Sequence, residues 1–292
     1  MAFAALAGAA AAAAAALAVL ATPAAAQQGV CDPIVPEACL YPFPSNFYTQ
    51  ADSTTPTGLR VVFPDGSAPV DRSGNDFSLE RWSRLDGFSS STTMITYLAN
   101  ASVELTPGLP GWQNFAASLE SDCPTVLLDT VTGQRVAHFA ELDYTSGSDN
   151  DVKSFMIWPS KQLEFGRRYI VAIRNVRNTN NQIIAPSEGF RALRDGIPTE
   201  DPDIENRREL YADIFARLAA AGVAQSDLQI AWDFTTGSLE YTTGWLTTIR
   251  DDAFSRLPAD GPDYRIVSVQ DEYSGRCAAR RGSSSWGRGA AA

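Results

Sequence analysis

Histidine occurs once in the 292 residues, as His138. A zinc site built on two or three imidazoles is therefore excluded. Any Ser-His-Asp triad would have to use His138, and the chain has no Gly-x-Ser-x-Gly elbow to pair with it. A phosphate-binding loop is missing too: Gly108-Leu109-Pro110-Gly111 leads into neither a lysine nor a clear helix. Nothing else in the sequence points to a cofactor. Positive charge is scarce, with 23 Lys and Arg against 34 Asp and Glu and a net charge of −11. Phosphate backbones and anionic membrane surfaces are bound through clustered Lys and Arg, so the chain is not expected to bind nucleic acid or an anionic bilayer.

Residues 1–26 contain no charged side chain. Their alanine-rich run from Phe3 to Leu20 ends at Pro23-Ala24-Ala25-Ala26, with small residues at both positions read by a signal peptidase. The segment reads as a cleavable signal peptide, although it lacks a positive n-region. Leu17, Val19 and Leu20 are too few large side chains for a stable membrane anchor, and the absence of Arg argues against a mitochondrial presequence. No later apolar run is long enough to span a bilayer. Cleavage leaves Gln27–Ala292, all of the charge, and an expected secreted, extracellular or periplasmic location.

In an exported chain, Cys31, Cys39, Cys123 and Cys277 are expected to form disulfides rather than bind metal. A local Cys31–Cys39 bridge across Asp-Pro-Ile-Val-Pro-Glu-Ala is favoured over the other pairings. Cys31 lacks the small preceding residue of a lipoprotein cysteine. Asn100-Ala101-Ser102 is the one glycosylation sequon, meaningful only in a eukaryotic host.

Residues 27–91 read as an extended leader with a short strand at Leu59–Phe63. Residues 92–195 carry strand candidates at Thr92–Leu98, Thr125–Leu128, Arg135–Phe139, Ser154–Trp158 and Arg168–Arg174. Asp129-Thr130-Val131-Thr132-Gly133 forms a hairpin loop between two of them. The nearly all-apolar Arg168–Arg174 is expected to be central. Short strands at this spacing predict an antiparallel β-sandwich. Residues 196–270 turn helical: a helix opening at Asp201-Pro202 and running to Gly222, a strand over Leu228–Phe234, a second amphipathic helix over Thr243–Leu257, and a strand start at Arg265–Val269. Residues 271–292, basic and built of Gly, Ser, Ala and Arg from Arg276 on, read as a disordered tail or an aberrant end.

The carriers of chemistry are few. His138 lies in a strand-like run and reads as structural. Glu141 and Asp143, two apart, would share a strand face as an acid–base pair or as a solvated edge. Ser146–Asp151 offers oxygens but not the calcium-loop spacing, and reads as a polar turn. Trp158 and Trp245 are assigned to the core. Trp82 and Trp112, in irregular segments, are the candidate ligand-binding aromatics.

Six phrases occur in order: Leu40–Thr49, Trp82–Ser89, Pro124–Asp129, Ala140–Asp143, Arg168–Asn175 and Ala231–Ser238. Together they resemble the N-terminal region of large secreted bacterial proteins that continue into an α/β-hydrolase domain, some similar to extracellular lipases and esterases. The resemblance covers about residues 31–270. It implies an immunoglobulin-like sandwich, closed by Phe234-Thr235-Thr236-Gly237-Ser238, with a helix leading on to the hydrolase. The serine elbow and catalytic histidine belong to that later domain, so no catalytic residue carries over. The expectation is a mainly β, immunoglobulin-like sandwich with two C-terminal helices. It would serve as a non-catalytic module beside a hydrolase domain absent from this chain. The alternatives are an extracellular binding protein acting through the sandwich and a small carboxylate enzyme.

Overall fold

The computed structural model describes residues 31–269, apart from 66, 68–70, 76 and 147–152. The signal segment, Cys277, most of the Ser146–Asp151 loop and the tail after 270 lie outside the described residues. The chain divides into two compact units, Met1–Trp245 and Leu246–Ala292.

In the first unit, β1 (Thr49–Ala51) pairs antiparallel with β2 (Leu59–Val61). A three-stranded antiparallel sheet runs in the order β3 (Met94–Tyr97), β6 (Ser154–Pro159), β5 (His138–Leu142). A second runs in the order β4 (Thr125–Asp129), β7 (Arg168–Arg174), β8 (Leu228–Thr235). Between β7 and β8 lie α1 (Glu188–Asp195), α2 (Pro202–Glu205) and α3 (Arg208–Ala220). The architecture is mixed, with antiparallel sheets and helices. The expected mainly β composition understates the helices.

The apolar β7 takes the centre of its sheet, where every residue after Arg168 is buried. β8 is buried along its whole length, since α1 and α3 pack against it. Apolar side chains of both three-stranded sheets, α1 and α3 belong to one continuous core. The hairpin loop forms as expected: Gly133 takes a φ of 68° and its N–H reaches Asp129 O at 2.9 Å. Its return segment bridges β4 only at Arg135, then moves across to pair with β6 as β5. The strand therefore begins at His138 rather than Arg135.

Three further expectations are corrected. α1 lies inside the stretch assigned to the sandwich: Ser187 caps it by accepting the Phe190 N–H, and Gly196 ends it in the left-handed region. The helix expected from Asp201-Pro202 to Gly222 breaks into α2 and α3 around Asn206 and Arg207, where the Arg207 side chain turns inward. Residues 265–269 form no strand and are exposed.

The leader is built into the fold. Cys31 and Cys39 form the expected disulfide. Between them the wholly buried Asp32 receives two guanidinium hydrogen bonds from Arg207, at 2.8 and 3.0 Å. The Ile34 N–H adds a third at 3.1 Å. Burial pushes the Asp32 carboxyl above its ordinary range, and Arg207 and Ile34 pull against that shift. Phe43 bridges Ile95 at the edge of β3, and the Trp232 indole N–H donates to Pro44 O at 2.8 Å. Phe47 and Tyr48 are buried beyond it.

α4 (Leu239–Arg256) starts in the first unit and continues into the second. Its start is fixed by Ser238, whose hydroxyl accepts the Tyr241 N–H. The helix has no buried side chain.

Removing the Asp32 charge strands a guanidinium in the interior, a loss on the order of 3–5 kcal/mol. Asp32→Asn should therefore lower the urea midpoint sharply. Asp32→Asn combined with Arg207→Met should regain a large part of the loss. Equal midpoints for wild type and Asp32→Asn would show that the pair contributes nothing net.

Candidate functional site

The four tryptophans singled out from sequence divide differently from expectation. Trp82 sits on a short turn beside β2 and pairs with the exposed Phe77, centroids 5.4 Å apart. Trp112 is 65% exposed, on a turn held to β5 by the Ala140 N–H donating to Pro110 O. No ring contact joins Trp82 to Trp112 among the described residues. Trp158 is not a core residue: on β6 it alternates with the buried Phe155 and Ile157, points outward and is 36% exposed. Trp245 is not one either, at 77% exposed on α4. Strand alternation and an uncovered helix decide both, and neither is visible in local composition.

Trp158 stands directly across from Phe139 on β5, with centroids 6.0 Å apart and planes 8° from parallel. Phe115 lies 5.7 Å beyond Phe139. These three rings form an aromatic row on the outer face of β5 and β6, and Glu141 occupies the same face of β5 as Phe139.

Glu141 and Asp143 lie in different settings. Asp143 lies past the end of β5, where its Oδ1 takes the Thr145 hydroxyl at 2.6 Å and the Thr145 N–H at 2.8 Å. These two bonds hold its carboxyl below the usual range. A group kept ionised in this way is unsuited to a general acid. His138 is wholly buried, with Nδ1 2.8 Å from Val136 O and Nε2 2.9 Å from Thr125 Oγ1. Burial pushes its pKa down to about 4. The ring is a neutral strut between the two sheets. Asn100 is half-buried with a φ of 55°, and the hydroxyl of its sequon partner Ser102 already donates to Glu104. Cys123 is a buried free thiol.

The structure assembles a second group whose members are scattered along the sequence. A cavity of about 220 Å³ lies between the Ser45–Thr49 turn, α2, α3 and β8, with Asp203, Asn206, Arg207, Tyr211 and Asp233 among its walls. Asp233 Oδ2 takes Arg168 Nε at 2.6 Å and Asn46 Nδ2 at 2.9 Å. Arg168 also reaches Asp213, which holds Arg217 in turn. Arg207 lies over the Phe47 ring at 4.7 Å and the Tyr211 ring at 5.8 Å. Sequence reasoning misses this group, although one signal for it is present: Asp233 is the one charged residue in the strand Leu228–Thr235, and a carboxylate in a buried strand requires a partner. Among the described residues, no group of three or more His, Cys, Asp or Glu is placed to hold a metal ion.

Comparison with protein-family models, with curated proteins and with solved structures found no match in any of the three.

His138 makes stability pH-dependent. Its folded pKa, about 4, lies below the ordinary 6.5. The unfolded chain therefore takes up a proton first as pH falls, and stability is lost between about pH 6.5 and pH 4. From about pH 7 to about pH 5 the loss is roughly 2 kcal/mol. Urea unfolding at the two pH values should show that slope in the wild type and a flatter one in His138→Gln. Identical slopes would place the titration elsewhere.

Proposed function

We propose that this chain is a non-catalytic, exported module that holds a neighbouring folded domain of a secreted α/β-hydrolase. On this reading the two three-stranded sheets correspond to an immunoglobulin-like sandwich, with α1 and α3 added to one outer face, and α4 is the connector. The observation that carries the proposal is the clamped junction immediately before α4. The Phe88 N–H donates to Thr235 O at 2.9 Å, and the Gly237 N–H to Phe88 O at 2.7 Å. The wholly buried Asp86 accepts the Ser238 N–H at 3.0 Å. Thr236 Oγ1 donates to Glu164 O at 2.6 Å and accepts the Arg167 N–H at 3.0 Å. Gly87 allows the approach, since a Cβ there would lie 2.7 Å from Gly237 N. The start of α4 is thus fixed by backbone contacts from two other segments.

Leu246, Ile249, Ala253 and Leu257 then recur at helical spacing, and all four are exposed. An apolar stripe of this kind is suited to contact with another folded surface. A fixed point of departure followed by an apolar helix is what a connector requires mechanically.

A second reading, an extracellular protein that binds through its sheet, is favoured by one observation. The Phe115–Phe139–Trp158 row leaves an aromatic surface with a carboxylate beside it on the outside of β5 and β6.

Purified Gln27–Ala292 should melt cooperatively and turn over neither short-chain nor long-chain esters. Turnover abolished by Glu141→Gln or His138→Ala would replace both readings with an enzyme. Leu246→Glu with Ile249→Glu should leave stability within about 0.5 kcal/mol, as expected for exposed positions, and should reduce binding of an apolar dye. A loss of several kcal/mol would show that α4 belongs to the core and is no connector.

A further inference from the structure

The outer face of β5 and β6 combines open aromatic rings with a carboxylate that has no partner among the described residues. We propose that this face seats an arginine side chain of a protein partner, its guanidinium stacked on Trp158 and bonded to Glu141. The inference rests on the second reading, binding through the sheet, and names the chemistry of the partner. The arrangement follows from the strand ladder. Phe139 stands across from Trp158, and Glu141 stands across from Met156. Glu141 is therefore diagonal to Trp158 on the same face, at about 7–8 Å between backbones, within reach of one long side chain. Glu141 is half-buried. The Met156 thioether opposite it offers no donor, and no hydrogen bond or ion pair reaches Glu141 among the described residues.

The rings are open to a cation. Trp158 and Phe115 are exposed. Among the described residues the cations that lie over rings are Arg60 on Tyr241, Lys153 on Tyr144, and Arg207 on Phe47 and Tyr211. None lies over Phe115, Phe139 or Trp158. Lys153, at the entry to β6, is buried, with its ammonium 4.4 Å from the Tyr144 centroid. Lys161, past the end of β6, is exposed and rests on none of the three rings. Charge then selects the occupant. An anionic partner would meet Glu141 on a chain of net charge −11. A wholly apolar partner would bury the carboxylate without a donor, which opposes docking. A guanidinium answers both groups, because its plane lies on an aromatic face while its edge donates to a carboxylate. An ammonium, compact and strongly hydrated, meets the charge but matches the flat ring less well.

The test is an NMR titration of isotopically labelled Gln27–Ala292 at low ionic strength. It is read on the backbone amides of β5 and β6 and on the Trp158 indole N–H, which the spectrum of Trp158→Ala assigns. The probes are acetyl-Gly-Arg-Gly-amide, the same peptide with lysine, and the same peptide with citrulline, the uncharged isostere of arginine. Cellohexaose is the neutral glycan. The arginine peptide should shift these signals and bind about tenfold tighter than the citrulline peptide, a difference of about 1.4 kcal/mol. It should also bind tighter than the lysine peptide. Glu141→Gln should weaken arginine binding about tenfold, and Trp158→Ala should abolish it; thermal melts confirm that both variants fold. Equal binding of the citrulline or the lysine peptide would overturn the assignment to a guanidinium. Arginine binding undiminished in both folded variants would place it elsewhere on the acidic surface. Shifts with cellohexaose and none with the peptides would overturn the arginine proposal while the second reading stands, with a glycan as its ligand. Silence toward all four probes would sink the proposal and count against the second reading as well.

Discussion

Much of this structure depends on the ion pair between Asp32 and Arg207. Two opposite charges removed from water cost several kcal/mol each unless their geometry is close to ideal. Here a bidentate pair, a backbone N–H and two aromatic rings supply that geometry. The consequence is topological. Asp32 sits in the disulfide loop at the start of the described chain, and Arg207 sits 175 residues later, at the entry to α3. Their pairing brings the leader against the helical side of the β4–β7–β8 sheet. With the leader in place, Pro44 can receive the Trp232 indole, Phe47 can enter the core, and the Ser45–Thr49 turn can close one wall of the cavity. The break between α2 and α3 follows from the same requirement, because Arg207 has to turn inward where a continuous helix would have carried on.

A second constraint acts where β8 ends, at Thr235–Gly237. The segment around Gly87 lies against Thr235–Gly237 closely enough that only a glycine fits. Asp86, Glu164 and Arg167 supply the remaining bonds to the turn. The C-terminal half of the buried strand β8 and the turn after it are therefore held by segments distant in sequence. The polar groups that hold them also line the cavity on one side and set the departure of α4 on the other. Fold and candidate function meet on β8 for that reason: it carries Asp233, Trp232 and the Thr-Thr-Gly-Ser turn, and it has no solvent-facing side on which polar residues would be free of partners.

Strands with a strong local signature are legible in the sequence alone. β7 is an apolar run with no polar face, so it has to be central, and it occupies Arg168–Arg174 as expected. The Asp129–Gly133 loop carries its own turn chemistry, and the Cys31–Cys39 bridge follows from proximity in the chain. Expectation fails where a residue's environment is decided by a distant partner. A place within a strand suggests the core for Trp158, but the pairing of β6 with β3 and β5 turns that position outward. An amphipathic helix suggests the core for Trp245, yet amphipathicity states only that a face is apolar, not that anything covers it. α1 has no comparable signature, because a short helix between strands owes its position to the sheet it covers. A strand at Arg265–Val269 rests on β-branched composition alone, and composition does not supply the partner strand that a strand needs.

The sequence by itself determined the class of chemistry open to this protein. One histidine, the missing nucleophile elbow and the acidic balance bound the functions, and the apolar runs and turn residues locate most of the strands. Only the tertiary structure decided which charges are buried, which aromatics face water and where the cavity lies. Periodicity and turn chemistry act between residues a few positions apart, and a linear sequence displays them directly. Pairing Asp32 with Arg207, setting Phe139 across from Trp158 and holding Asp233 against Arg168 are contacts between segments far apart in the chain, and they exist only once the core has brought those segments together.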